Sequence, residues 1–324
     1  MLGLHATHII DVGGRVGYFA ELRRRRAAAT SRELAQSLGL DPWRTEVWCR
    51  AACIVGVLRY EGAGGFGFAP FMEELLAQES PELLTVHALA SLAGDFPDYP
   101  EAFRTGATRT FQQHGQDFFE RQSRLSALRA PEIVAAARGI PQLGPTLARG
   151  CRVLDVGCGS GTVPVSFAET FARCEVVGVE PLPYFAARAR DLIRERGLQD
   201  RVRVELMGAE EIEFEAEFDL VTLVQVFHEL PDRVKLQILK ACRRGLRPGG
   251  FLMLVDRCAP ETGADLQDRR FTMSVLEQWM EVTWGNVVNT RTEILAALRE
   301  AGFAVVAEDG DAVPTYWTFA ATGT

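Results

Sequence analysis

Residues 152–162, RVLDVGCGSGT, decide the fold of this chain. Val153, Leu154 and Val156 make a short apolar run of the kind buried in a parallel sheet, and Gly157, Gly159 and Gly161 follow at once. Alternate glycines let a backbone turn sharply after a strand and lie close to a ligand before a helix starts near Thr162–Pro164. This is a nucleotide-binding turn. Glycines alone do not name the ligand, because tight turns and dinucleotide folds use the same residues.

The neighbours point away from a dinucleotide. Asp155 stands at the mouth of the strand, where a carboxylate would attract a cation such as a sulfonium and repel a pyrophosphate. Glu175–Glu180 reads as a second apolar strand ending in a carboxylate placed to accept both hydroxyls of a ribose. Phe218–Val224 is a further strand, and Arg247-Pro248-Gly249-Gly250 is a tight turn into the strand Phe251–Val255. From about Arg152 onward the chain resembles the class I S-adenosylmethionine-dependent methyltransferases, whose motifs occur here together and in that family's order.

Strand patterns at 153–156, 176–180, 202–206, 218–226, 251–255, 304–307 and 316–320 have helical patterns between all but the last two. The expectation is an α/β fold, a doubly wound seven-stranded Rossmann-like sheet. The resemblance implies that the last strand is antiparallel and inserted, with Val313-Pro314-Thr315 as the hairpin. It also implies the cofactor site. Asp155, Gly157, Gly159 and Gly161 would hold the methionine portion, with backbone amides at the loop; Glu180 would take the ribose hydroxyls and Leu182 would lie against the adenine. Family members often have a carboxylate after the third strand to receive the adenine amino group. Gly208 stands there instead, so that contact falls to the backbone at Gly208 and Ala209 or to Glu210, for which a solvated helix start is the alternative.

Ligands of open parallel sheets bind beyond the carboxyl ends of the strands, which places the chemistry in Gln225–Asp232. Gln225 joins the cofactor set. His228 matches the position of the catalytic histidine of plant-type O-methyltransferases, and an imidazole of ordinary pKa near 6.5 suits a general base; a structural histidine is the alternative. Asp256, Glu277 and Glu281 are the carboxylates available to orient it. Acceptor contacts are expected from a helix over Phe271–Val288 carrying Trp279, Met280, Trp284 and Asn286, and from Phe227, His114 and Phe118, with core packing as the alternative for the aromatics. No metal site is expected. His5 and His8 share one helical face without a third ligand.

The N-terminal part is helical. Leu2–Leu22 follows one helical pattern, and Arg23–Arg26 sits at its end, where positive charge suits the helix dipole. Thr30 or Ser31 with Glu33 caps one helix, Asp41 with Pro42 opens the next, and the glycine-rich segment 61–70 reads as a hairpin. That is the outline of a winged helix. Its second helix carries Trp43, Val47, Trp48 and Ile54 rather than the basic and amide side chains of a DNA-reading helix, so it is expected to be buried. The region resembles the dimerisation domain of bacterial and plant small-molecule methyltransferases. A mainly helical domain over 1–143 and a cofactor-binding domain over 144–324 are expected, joined through a Pro/Gly-containing approach at 141–150.

The chain has 324 residues, net charge -8 and seven cysteines without a Cys-x-x-Cys pair. The residues before Cys151 hold as many acidic as basic side chains, so the charge lies in the second half and nucleic acid is not an expected partner. No apolar run reaches the ~20 residues of a membrane helix, and no signal-peptide core is present, so a cytoplasmic protein is expected. Lys235 and Lys240 are its only lysines, a bias that suits a GC-rich bacterial source. These features agree with what the resemblance implies: a homodimer that moves a methyl group from S-adenosylmethionine to a hydroxyl of a small secondary metabolite. Transfer to carbon or nitrogen, chemistry with no methyl transfer such as cyclisation, and a DNA-binding regulator are the alternatives.

Overall fold

The computed structural model describes residues 2–313 and 315–323. In chain order its helices are α1 Leu2–Arg15, α2 Tyr18–Arg25, α3 Ser31–Leu38, α4 Pro42–Ile54, α5 Met72–Leu75, α6 Pro81–Leu92, α7 Tyr99–Thr105 and α8 Gln116–Ala127. These are followed by α9 Ala130–Gly139, α10 Leu143–Arg149, α11 Thr162–Thr170, α12 Pro183–Glu195, α13 Asp232–Gly245, α14 Thr272–Met280 and α15 Arg291–Glu300. The strands are β1 Ala29–Thr30, β2 Leu58–Glu61, β3 Gly65–Phe68, β4 Arg152–Val156, β5 Glu175–Glu180, β6 Val202–Leu206, β7 Phe218–Val224, β8 Leu246–Asp256, β9 Phe303–Val313 and β10 Tyr316–Gly323.

Two compact units are distinguished. The first comprises the chain up to Pro97 with Gly115–Leu125, and the second comprises Asp98–His114 with the chain from Ser126 onward. The expected boundary at 143–144 follows chain order. Contacts instead group α9 and α10 with the sheet, because Ile133, Val134, Leu143 and Leu147 are buried in the same core as Val153 and Phe167.

In the first unit α3, α4 and the antiparallel strands β1-β3-β2 make the winged-helix outline. Thr30 and Glu33 form the expected capping box: the Glu33 amide donates to Thr30 Oγ1 at 3.2 Å and the Thr30 amide donates to Glu33 Oε2 at 2.7 Å. Asp41 accepts from the Arg44 amide at 2.8 Å at the start of α4. Each such cap contributes about 1 kcal/mol. The pattern over Leu2–Leu22 is two helices rather than one, because Gly17 adopts a left-handed φ of 90° between them. The apolar α4 is only half buried. Trp48 stacks on Tyr18 at 4.1 Å inside the core, whereas Trp43 and Ile54 on its other side are 67% and 81% exposed.

The second unit is built on a seven-stranded sheet of order β6-β5-β4-β7-β8-β10-β9. Strands β4 to β8 are parallel, and β10 runs antiparallel between β8 and β9, the inserted last strand that the resemblance implied. Pro314, expected in that hairpin, lies outside the described residues. Both faces of the sheet are covered by apolar cores, so its strands read as continuous apolar runs. Strand β4 pairs with β5 on one side and β7 on the other. The strand order reverses there, which opens a crevice at the carboxyl ends of the strands.

Candidate functional site

The turn after β4 uses its three glycines in different ways. Gly157, Gly159 and Gly161 all have left-handed φ, of 71°, 53° and 81°. A Cβ on Gly157 would lie 2.5 Å from Val226 Cγ2, and one on Gly161 would lie 2.7 Å from Ala189 Cβ, so these two permit close packing. A Cβ on Gly159 would meet nothing within 4 Å. Gly159 alone faces open space.

The expected role of the loop amides is not what the hydrogen bonds give. The Gly157 and Cys158 amides both donate to the Val179 carbonyl at 2.9 and 3.0 Å, Gly161 donates to the Cys158 carbonyl at 3.0 Å, and Gly159 donates to Glu180 Oε2 at 3.0 Å. Four amides are thus turned inward, because the loop must hold its own tight curve. These four amides are therefore not directed at a dinucleotide pyrophosphate.

Two buried carboxylates flank this turn. Asp155 is enclosed in the strand and accepts a hydrogen bond from Thr222 Oγ1 at 2.6 Å; burial pushes its pKa up to about 7, against that bond and with some help from Glu180. Glu180, at the end of β5, accepts from the Gly159 amide through one oxygen and from the Leu182 amide through the other, at 2.9 Å. Burial raises its pKa and the two amides only partly offset this. Leu182, half-buried, stands at the start of α12. Beyond β6, the Gly208 amide donates to Glu211 Oε2 at 2.6 Å and is therefore engaged within its own turn. The exposed Glu210 folds its carboxylate back over Gly208, and Ala209 is buried.

Beyond β7 the chain is tightly wound. Gln225 takes a left-handed φ of 56°, rare for a residue with a side chain, and Phe227–Glu229 forms a single turn. His228 is buried. Its backbone N–H donates to Asp256 Oδ2 at 3.1 Å, its Nδ1 lies 2.6 Å from Asp256 Oδ1, and its Nε2 lies 3.5 Å from Glu281 Oε2. An ionised carboxylate only accepts, so Nδ1 carries a proton. Burial opposes the charged imidazole, but Asp256, Glu281 and Glu277 outweigh it and hold the His228 pKa well above 6.5. The ordinary value expected from the sequence is therefore corrected. Burial likewise raises Glu281, which accepts from Asn286 Nδ2 at 2.9 Å.

Of the three carboxylates weighed as orienting groups, Asp256 and Glu281 meet the imidazole. Glu277 instead pairs with Arg257, Nε to Oε2 at 2.6 Å. Arg257 and Tyr316, which sequence reasoning missed, form the next layer. A lone arginine after a strand and a tyrosine in a distant hairpin give no local signal, and only the insertion of β10 beside β8 brings them together.

The acceptor residues are dispersed. Helix α14 ends at Met280 rather than Val288, since β-branched Val282 and Thr283 and a left-handed Gly285 interrupt it. Trp284 is buried against Phe111 and His114, with ring centroids at 5.6 and 5.3 Å, and Phe111 stacks on Phe185 at 6.0 Å. Trp279 is half exposed beside Tyr99, which also donates to the Met280 carbonyl. Asn286 joins the His228 network. Phe227 is a core residue with Lys235 Nζ 5.1 Å from its ring centre. Phe118 is buried in the first unit against Phe119. His5 and His8 are exposed on α1, and no metal-binding group of three occurs among the described residues.

The second unit thus combines a doubly wound sheet and an inserted antiparallel strand with an acidic residue in β4, a glycine turn after it and a carboxylate ending β5. Residues 153–250 match the family model described as "Methyltransferase domain". The 27-O-demethylrifamycin SV methyltransferase of Amycolatopsis mediterranei (strain S699) is 34% identical over 181 residues, 54% of this chain and 62% of that protein. The aclacinomycin 10-hydroxylase RdmB of Streptomyces purpurascens is 36% identical over 160 residues, 48% of this chain and 40% of that one. This chain thus spans less than two thirds of either relative. Among solved structures, the mitomycin 7-O-methyltransferase MmcR superposes with a TM-score of 0.79 at 20% identity, covering 99% of this chain and 95% of that one, which shows a shared fold. No helix among the described residues is long and apolar enough to cross a membrane.

Proposed function

We propose that this protein transfers a methyl group from S-adenosylmethionine to a hydroxyl of a small secondary metabolite. The observation that carries the proposal is His228, held at the carboxyl end of β7 with Asp256 on Nδ1 and Nε2 directed to Glu281, beside a turn flanked by the buried carboxylates of Asp155 and Glu180.

The residues fit the cofactor. Glu180 keeps lone pairs for ribose hydroxyls, and Asp155 and Glu180 offer negative charge to a sulfonium and an ammonium. The open side of Gly159 leaves room for the ligand backbone. S-adenosylmethionine, when bound, supplies a methyl group activated by the sulfonium charge. The chain's own task is to orient the acceptor and take its proton. A phenolic hydroxyl has a pKa near 10, so about one molecule in a thousand is ionised at neutral pH, and a base within reach increases the rate by roughly 10²- to 10⁴-fold. His228 Nε2 and Glu281 lie 3.5 Å apart, beyond a good hydrogen bond, and an acceptor hydroxyl directed at Nε2 would give its proton to this pair.

Calorimetry with S-adenosylhomocysteine and with NAD tests the reading. Micromolar affinity for the first and none for the second is expected; the reverse would end it. A second reading rests on the hydroxylase among the relatives: the same site holds the cofactor while a different reaction proceeds. Turnover of a substrate without formation of S-adenosylhomocysteine would establish it.

The proposal includes a homodimer through the first unit. Trp43 and Ile54 on α4, with Leu2 and Leu4 on α1, leave large apolar side chains in water, which is unusual for a monomer. Sedimentation is expected to give a dimer at micromolar concentration, and Ile54→Asp with Trp43→Ser a monomer. A wild-type monomer would count against it.

A further inference from the structure

We infer that Arg257 and Tyr316 are positioning residues that lock the side-chain amide of Gln225 with its oxygen inward, leaving its N–H groups as donors to the carboxylate of the cofactor's amino-acid portion. This inference rests on the proposed cofactor.

Hydrogen-bond polarity carries the argument. A guanidinium can only donate. Arg257, 3% exposed, donates from Nη2 to Tyr316 Oη at 3.0 Å and from Nη1 to Thr315 Oγ1 and its carbonyl at 2.9 and 3.0 Å. Its Nε faces Glu277, and its charge centre lies 4.2 Å above the Tyr316 ring. The phenol oxygen is therefore an acceptor toward Arg257. Its single proton points the other way, to Gln225 Oε1 at 3.0 Å. With the oxygen fixed there, the amide nitrogen of Gln225 must turn away from β10.

What lies on that other side is the glycine turn. Strand β7 stands between β8 and β4, and Val226 is packed so closely on Gly157 that a Cβ there would be 2.5 Å away. The turn has committed the amides of Gly157, Cys158, Gly159 and Gly161 to its own carbonyls and to Glu180. A carboxylate bound beside it cannot draw on those four amides and gains from donors outside them. Gln225 supplies two, and its left-handed backbone, anchored by its amide to the Val255 carbonyl at 2.8 Å, keeps the side chain at this edge.

The test is calorimetric, with two probes on the folded full chain: S-adenosylhomocysteine, which carries the amino-acid carboxylate, and 5′-methylthioadenosine, which does not. Tyr316→Phe and Gln225→Ala should each weaken the first about 10- to 100-fold, the usual effect of one hydrogen bond to a charged group. The double variant should be no weaker than either single one, and 5′-methylthioadenosine should bind all of them equally. Should Tyr316→Phe fail to fold, Gln225→Glu serves instead, since it still accepts from Tyr316 but has no donor. Equal weakening of both probes, additive effects, or unchanged affinity of Gln225→Glu for S-adenosylhomocysteine would overturn the inference. If wild-type protein binds neither probe, the cofactor reading itself is wrong.

Discussion

Asp155 and Glu180 on one side of the crevice, and Asp256 and Glu277 on the other, are all shielded carboxylates, yet they are held by opposite means. The first pair rests on neutral donors: a threonine hydroxyl and two backbone amides. The second pair rests on an imidazole and a guanidinium. Neutral donors leave negative charge poorly compensated in a low dielectric, so both carboxylates of the first pair have raised pKa values. Opposite charges compensate each other at close range, here without hydrogen-bond alignment between Arg257 Nε and Glu277 Oε2. On the proposed function, the first region would receive a cation and the second would hold the proton-accepting group in place.

The sharpest way to break this comparison is at His228. His228→Gln should lower kcat about 10²- to 10⁴-fold while leaving the affinity for S-adenosylhomocysteine nearly unchanged. Retention of most activity between pH 6 and 9 would mean that alignment alone carries the reaction. Asp256→Asn removes the charge that raises the imidazole pKa. A raised base is free only at higher pH, so the wild-type kcat profile should rise on the alkaline side of 6.5, and the variant's midpoint should move to lower pH with a reduced maximum. An unmoved midpoint would separate His228 from the reaction.

Next in size is the contrast between Gly159 and Gly161. Gly161→Val would drive a side chain into Ala189 and should lower Tm. Gly159→Val places its Cβ in open space, so beyond the backbone strain that both left-handed positions share, its distinguishing loss should be in cofactor affinity, about 10- to 100-fold from the space it takes. Equal destabilisation of both variants would show that the turn is only a packing device.

The narrowest contrast, confined to one pH window, concerns Asp155. Its folded pKa, about 7, exceeds an unfolded value near 3.9, so folding favours the neutral form. The stability it contributes is complete below about pH 4 and is lost as pH rises to about 7, on the order of a few kcal/mol. Asp155→Asn should flatten that part of the stability curve. A bound cation would favour the ionised form, so wild-type protein should release a proton on binding S-adenosylmethionine near pH 6, and the variant should not. Calorimetry in buffers of different ionisation enthalpy measures this directly, and equal proton release by both would remove Asp155 from the site.

The two sides of the crevice also differ in how far the sequence disclosed them. Asp155, the glycines and Glu180 lie on one strand–turn–helix–strand unit, and their spacing follows from local geometry. The positions and types of the strands, the capping box at Thr30 and Glu33, and the winged outline were legible for the same reason: apolar periodicity and capping act over a few residues. The direction of the loop amides was not, because it depends on which carbonyl of β5 lies beneath them.

By itself, then, the sequence determined the doubly wound sheet, the glycine turn after β4 and the position of His228, since each is specified by residues close together in the chain. Only the tertiary structure decided that Asp256 and Glu281 would clasp the imidazole while Glu277 turned to Arg257, that Tyr316 would reach Gln225, and that α14 would stop at Met280. Those choices depend on β10 inserting beside β8, a pairing across about 60 residues, and on side chains in separate elements competing for the same buried partners. No local pattern records the outcome of that competition, because it is settled by which charges can be satisfied together once water is excluded.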